Sequence, residues 1–337
     1  MTGFRQLAKA LAIAFIALAP VSAYSQQPIE IVWEAVSAFD PSQPEQTRFG
    51  SLTFLRGGVL KADHPEFGGF SGLGIAREGE ALLAISDRGK WLRVRLPRSQ
   101  GGAVPMMIRG MMEDVTDARG QVARRKRDKD AEGLAVTGDR AFVSFERLDK
   151  VIAYDLRGNN GPTGLRDLNY PFPVHELRQN EGLEALAAAP PSAGLGENTL
   201  LAISEGSINR AGDLFAFVMS GPKQGTFFVR ARNDFNVTDA DFLPDGRLLL
   251  LERRFSLGQG LGARIRVIDP ADIRPGATVD GPVVFEADLG QAIDNMEGMS
   301  VWRSRDGETV ISLISDDNLS FLQQTVYLEF RYDGDER

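Results

Sequence analysis

Hydrophobic positions in this chain come in short dense runs rather than in a helical stripe. Five of them, Ala81–Ser86, Ala141–Phe145, Leu200–Ser204, Leu248–Leu251 and Val310–Ser315, each stop at an acidic residue: Asp87, Glu146, Glu205, Glu252 and Asp316. Ahead of each run stands one short phrase: Phe70-Ser71-Gly72-Leu73, Ala131-Glu132-Gly133-Leu134, Asn180-Glu181-Gly182-Leu183, Val237-Thr238-Asp239-Ala240 and Met296-Glu297-Gly298-Met299. The phrases recur at intervals of roughly 50–60 residues, a length that belongs to propeller-type repeats. Glycine and proline punctuate the runs, and no long stretch with a helical period follows the first residues. The pattern predicts an all-β chain.

Each repeat reads as four strands. In the fourth, Asp239–Leu243 leads through the turn Pro244-Asp245-Gly246 into Arg247–Leu251. Ala263–Ile268 follows, alternating apolar and basic residues as a half-exposed strand does, and then Val283–Phe285. In the first repeat the turn near Gly79 has the same offset from Ser71 that Asp245-Gly246 has from Thr238, which aligns Thr238, rather than Asp239, with the other phrases. The last repeat shows only three strands, near Gly298–Trp302, Thr309–Ser315 and Thr325–Arg331, and the N-terminal runs Ile29–Val36 and Ser51–Leu60 belong to no repeat. The expectation is a single β-propeller of five blades with four antiparallel strands each, the last blade closed by an N-terminal strand. Radial repetition leaves few exposed sheet edges. Six blades is the alternative, if both N-terminal runs belong to a further blade.

Composition narrows the partners. Arg5 and Lys9, the apolar stretch Leu11–Ala19 and Val21-Ser22-Ala23 read as a cleavable secretory signal over residues 1–23, leaving a single domain over 24–337. The apolar stretch is shorter than the ~20 residues a membrane span needs, and no later segment reads as one. Loss of Arg5 and Lys9 takes the formal net charge from −8 to −10. An acidic surface argues against nucleic acid, which needs a basic face. With no cysteine and only His64 and His175, thiolate chemistry and zinc-thiolate sites are excluded and no two-histidine metal helix exists. The expected setting is the periplasm or the exterior, with the protein a monomer acting on a small molecule.

The second strand of an up-and-down blade ends at the level where the first begins. The phrases and the acids therefore share one face. An inner ring of Ser71, Glu132, Glu181, Thr238 and Glu297 is expected there, surrounded by Asp87, Glu146, Glu205, Glu252 and Asp316 with Arg88, Arg147, Arg210 and Arg253 beside them. Carboxylates converging on an axis repel unless protonated, paired or bridged by a cation. Calcium takes six to eight oxygens in flexible geometry, so the inner ring is a candidate calcium site. A direct role in hydrogen bonding between blades is the competing use of the same residues. Arginines beside a metal suit a phosphorylated substrate, because guanidinium matches phosphate oxygens bidentately. Glu205, Glu252 and Asp316 complete the candidate substrate contacts, and Asp87, Glu146 or Asp317 is the candidate general base. The basic run Arg124–Lys129 reads as a solvated loop above this face.

At these residues the chain resembles secreted bacterial proteins with a phytase-like domain, "esterase-like activity of phytase". The shared phrases are FGGFSGL, LLAISDRG, DAEGLAV, NEGLEAL, NMEGMSVW and LISDDN, running from Phe67 to Asn318. The resemblance implies phosphoester hydrolysis. A more distant similarity is to calcium-dependent apyrases, five-bladed propellers with an axial calcium. Their order of serine and glutamate ligands looks like Ser71, Glu132, Glu181, Thr238 and Glu297, with Thr238 a departure that keeps the hydroxyl. Their Asp-Asp-Arg-Thr-Gly segment looks like Ser86–Gly89. The expected function is a calcium-dependent phosphoester hydrolase. The alternatives are a non-catalytic binding propeller with a structural calcium, or a calcium-dependent lactonase or esterase.

Overall fold

The computed structural model describes residues 26–96, 98, 105–123, 125, 128–148, 150–158, 161–168, 177, 182–196, 199–256, 258 and 260–334. The predicted signal segment, Glu181, His175 and much of the basic run Arg124–Lys129 lie outside the described residues. Among the described residues no helix is long and apolar enough to cross a membrane.

The chain is all-β. It opens with β1 (Gln26–Val36), β2 (Arg48–Phe49) and β3 (Leu52–Ala62). Blade 1 follows as β4 (Phe70–Ala76), β5 (Ala81–Ser86), β6 (Lys90–Arg95) and β7 (Met107–Asp114). Blade 2 is β8 (Ala131–Thr137), β9 (Arg140–Phe145), β10 (Lys150–Asp155) and β11 (Thr163–Leu168). Blade 3 is β12 (Leu183–Ala188), β13 (Leu200–Ile208), β14 (Leu214–Val218) and β15 (Gly225–Val229). Blade 4 holds β16 (Asn236–Phe242), β17 (Leu248–Ser256), β18 (Gly260–Ile268) and β20 (Val283–Asp288). The short β19 (Thr278–Val279) of its last connection pairs in parallel with β15 of blade 3. The final strands are β21 (Met296–Arg303), β22 (Thr309–Ser315) and β23 (Thr325–Tyr332).

N-terminal β3 supplies the fourth strand of blade 5 by pairing antiparallel with β23. The other N-terminal strand, β1, then pairs with both β3 and β7, so blades 5 and 1 share one continuous sheet at their outer edge. This strap leaves neither of those two outer edges open, which removes a template for edge-to-edge association. Trp33 of the strap lies against the backbone of β3, where a Cβ on Gly58 would meet its indole at 2.3 Å, so that position requires glycine. The inner strands β4, β8, β12, β16 and β21 contact one another in a closed cycle.

The dense apolar runs are explained by what each strand faces. Leu248 and Leu250 of β17 enter the cluster between blades 3 and 4, while Leu249 and Leu251 enter the one between blades 4 and 5. On β22, Ile311 and Leu313 face blade 4, and Val310 and Ile314 face blade 1. Successive side chains point to opposite faces of a strand, and here both faces meet a neighbouring blade. Each such fully buried leucine or isoleucine contributes about 1.5–3 kcal/mol of burial. Five apolar clusters fill the spaces between neighbouring blades in this way.

Candidate metal and substrate site at the propeller axis

Every inner strand begins with an irregularity. The ladder slips between Phe70 and Gly72, between Ala131 and Leu134, between Leu183 and Ala185, between Val237 and Asp239, and between Met296 and Gly298. A bulge inserts one residue and re-aims its side chain. The inserted residues are Ser71, Glu132, Glu184, Thr238 and Glu297. Four are the predicted inner ring. In blade 3 the position belongs to Glu184, not to the predicted Glu181. The buried residue just before each one is Phe70, Ala131, Leu183, Val237 or Met296. Glu181 follows Asn180, so an apolar residue before the anchor was the sequence signal that separates the two glutamates.

Small residues follow most anchors because the inner strands crowd here. A Cβ on Gly133 would lie 2.2 Å from the Glu184 carbonyl oxygen, and one on Gly298 would lie 3.1 Å from the Gly72 carbonyl carbon. Blade 4 carries Asp239 instead. Its buried carboxylate accepts hydrogen bonds from Met299 N (2.6 Å) and Ala240 N (2.8 Å), tying β16 to β21. Choosing Thr238 over Asp239 as the anchor therefore matches the register.

The two hydroxyl anchors are tied to the next blade. Ser71 Oγ donates to Ala131 O (2.7 Å) and Thr238 Oγ1 donates to Met296 O (3.1 Å). Carboxylate anchors cannot donate in this way when ionised. Glu297 accepts from Asn295 Nδ2 (2.6 Å) and pairs with Arg253 Nε (3.2 Å). Glu132 and Glu184 accept no hydrogen bond from any described residue. Burial pushes Glu132 well above the usual carboxylate range, with Glu184 and Glu297 adding repulsion, and it does the same to Glu184 beside Glu205 and Glu297. Burial carries Glu297 to about 7 despite Arg253. Two hydroxyls and three desolvated carboxylates, in a chain without cysteine, fit a hard cation.

The surrounding acids sit one residue beyond the paired end of each second strand. Asp87, Glu146, Glu205 and Asp316 donate their backbone N–H to the carbonyls of Gly69, Asp130, Gly182 and Asn295, each two residues before an anchor. In blade 4 the residue at that level is Arg253, paired with Asn236, whereas Glu252 pairs with Val237. The predicted substrate contact Glu252 is corrected accordingly. It is fully buried within its blade, held by Arg264 Nε (2.5 Å) and by Arg266 Nε (2.9 Å). Arg253 instead joins three blades, donating to Glu205 Oε1 (3.0 Å) as well as meeting Glu297.

The remaining predicted residues divide. Glu146 is raised by burial and by Asp130, and its Oε1 accepts from Gly182 N (3.4 Å). Burial and the neighbouring Glu297 lift Asp316 to about 8. Asp87 and Asp316 approach the same point, since a Cβ on Gly69 would lie 2.4 Å from Asp87 Oδ1 and 3.9 Å from Asp316 Oδ1. Asp317 is committed to structure: Oδ1 accepts from Gly69 N and Leu319 N (both 3.0 Å), and Oδ2 from Thr325 Oγ1 (3.0 Å). Arg147 forms an ion pair with Asp130. Arg88 and Arg210 are exposed in the turns after β5 and β13, on this face, without a described partner. Asp130 was missed at the sequence level. One oxygen each from Asp130, Glu132 and Glu146 lies within 4.8 Å of the others, so Glu132 belongs to both the ring and this second group. Arg147 already neutralises Asp130, which leaves the ring with the larger unmet charge.

A carboxyl whose folded pKa is raised contributes stability that is complete below its unfolded value and is lost as pH rises from there through the folded value. Glu297 at about 7 and Asp316 at about 8 spread their share of that loss up to about pH 8. Metal-free protein is expected to lose thermal stability steadily as pH rises from about 5 to about 8, and a hard cation, if the ring holds one, to reverse the loss at the upper end. Melting profiles across this range, with chelator and with calcium, check this; equal slopes in both would count against it.

Fold and site together define a β-propeller whose axis opens on a carboxylate ring. The chain belongs to the phytase-like family, "Esterase-like activity of phytase", whose model matches residues 65–319. No curated protein matches it. Among solved structures it is similar to hydrazine synthase of Kuenenia stuttgartiensis (14% identity, TM-score 0.36), covering 74% of this chain but only 56% of that one. It is also similar to the Cps50 (Swd1) β-propeller domain of Myceliophteria thermophila (14% identity, 75% and 67% covered, TM-score 0.34). A third is the PQQ-bound aldose sugar dehydrogenase of Streptomyces coelicolor (12% identity, 82% and 97% covered, TM-score 0.43).

Proposed function

We propose that this chain is a secreted or periplasmic phosphoester hydrolase, made with a signal over residues 1–23, whose active face is the mouth of the axis. The observation that carries this reading is the ring of Glu132, Glu184 and Glu297, desolvated and short of partners, with Arg253 reaching into it. Ser71, Glu132, Glu184, Thr238 and Glu297 would hold calcium. Once bound, the ion would neutralise phosphate charge and favour attack by water. Arg253 would bind phosphate oxygens when it exchanges Glu205 for substrate, with Arg88 and Arg210 entering from the exposed turns. Glu146, raised by burial, is the fitting general base: its carboxylate takes a proton from the attacking water. Asp316, whose proton is held by burial, would return a proton to the leaving oxygen as the ester bond breaks. Asp317 is assigned no chemical step, because three donors occupy its carboxylate.

A panel of phosphomonoesters, phosphodiesters, nucleotides and phytate tests the reading. Phosphate release should need calcium and fall at least tenfold in Arg253→Ala. No release from any member with calcium present would overturn it. The ion pairs of Arg253 also favour a second reading, a binding propeller with a structural calcium, because they bridge blades 3, 4 and 5. Under that reading Arg253→Ala lowers the melting temperature and no substrate turns over.

A further inference from the structure

A cleft of about 1000 Å³ opens between blades 1 and 2 on the face opposite the ring. Leu83, Val136 and Leu156 form its floor, where they pack on the apolar cluster between the two blades. Arg77, Arg93, Arg95 and Arg109 line its walls. Arg93 is neutralised by the buried Glu113, its Nε donating to Oε2 at 3.0 Å. Of the acids at the cleft, Glu80 already meets Arg305 Nη2 at 3.2 Å.

That leaves Arg77, Arg95 and Arg109, which form no ion pair with a described residue. Val94 and Gly110 are register partners on β6 and β7, so Arg95, one residue on, adjoins Arg109, one residue back. Like charges side by side across a ladder destabilise it unless something negative sits between them. Glu30 stands opposite Arg109 on β1, and Asp139 lies on the blade 2 side, yet no described ion pair takes either. Three guanidiniums against two carboxylates leave the cleft net cationic above an apolar floor. A concave, mainly apolar site with a few convergent polar groups suits a small molecule.

We infer that this cleft binds an organic anion with an apolar body. Arg95 and Arg109 hold its carboxylate, sulfonate or phosphate group, Arg77 closes on it from the first turn of blade 1, and its hydrocarbon rests on Leu83, Val136 and Leu156. Guanidinium groups pair with each of these oxyanions. This site is separate from the axial ring, and its occupancy does not depend on the hydrolase reading.

The test is a fluorescence and calorimetric titration of the mature chain with 8-anilinonaphthalene-1-sulfonate, an apolar anion. One saturable site per chain is expected, unchanged by excess calcium chelator. Arg95→Ala with Arg109→Ala should weaken it at least tenfold with the melting temperature preserved, because both side chains are exposed. Val136→Trp, which fills the floor, should block it. Absence of a saturable site, wild-type affinity in the double arginine variant, or loss of binding on chelation would each overturn the inference.

Discussion

Replacing Glu184 by glutamine will weaken calcium binding by two orders of magnitude or more, while Glu181→Gln will leave it near wild type. Calcium affinity spans many decades with the charge and rigidity of its ligand set, so one of three carboxylates is a large share of this site. The register decides between the two glutamates. Leu183 pairs with Ser204 and Ala185 with Ile203, so the inserted residue of blade 3 is Glu184. Its carboxyl is raised by burial, by Glu205 and by Glu297, as expected of a group placed among like charges. Calorimetric titration of chelated variants checks the pair, and equal affinity in wild type and Glu184→Gln would refute the assignment.

Glu252→Gln will unfold the protein more easily by about 3–5 kcal/mol, the usual cost of removing one partner from a buried ion pair. Glu252, Arg264 and Arg266 are all buried. Arg266 also meets Asp280 Oδ1 (2.9 Å) and donates to Arg230 O (3.0 Å), and Arg264 donates to Arg232 O (3.0 Å) while lying 4.1 Å over the Phe235 ring. Glutamine keeps the volume but leaves two guanidiniums short of charge in a dry wall. Urea denaturation measures the loss. The opposite outcome, stability unchanged and phosphate release lost, would return Glu252 to the substrate face where its sequence position suggested it belonged.

Glu252 and Arg253 show why the site was only partly legible in the sequence. Adjacent residues on a strand point to opposite faces, so a one-residue difference in where the ladder ends moves a side chain from the axis into the blade. Spacing from the apolar run placed the acid of blade 4 at Glu252, whereas cross-strand pairing places Arg253 at that level. The third anchor failed for a related reason: residues 180–186 contain two glutamates three residues apart, and the Glu-Gly phrase drew the reading to Glu181 although the apolar residue that precedes every other anchor stands before Glu184, where the bulge falls. Asp317 looked like one more rim acid, but Leu319 N and Thr325 Oγ1 hold it within blade 5 and Gly69 N reaches it from the loop before β4, a contact that no local pattern encodes. What was legible is what repeats. Apolar runs facing a blade on each side announced the second strands, and the missing fourth strand of the last repeat announced closure by one of the N-terminal strands, which proves to be β3 paired with β23. The strap β1 was seen as a strand, but its double pairing with β3 and β7 depends on closure of the whole ring.

Calcium titration of chelated mature protein, with phosphate release followed in the same samples, tests the central claim most directly. The account predicts one tight calcium per chain, lost in Glu184→Gln, and phosphate release that returns in step with its occupancy. Calcium binding with no release would leave a binding propeller, and release that persists in the chelated protein, or no bound calcium at all, would contradict the axial site outright.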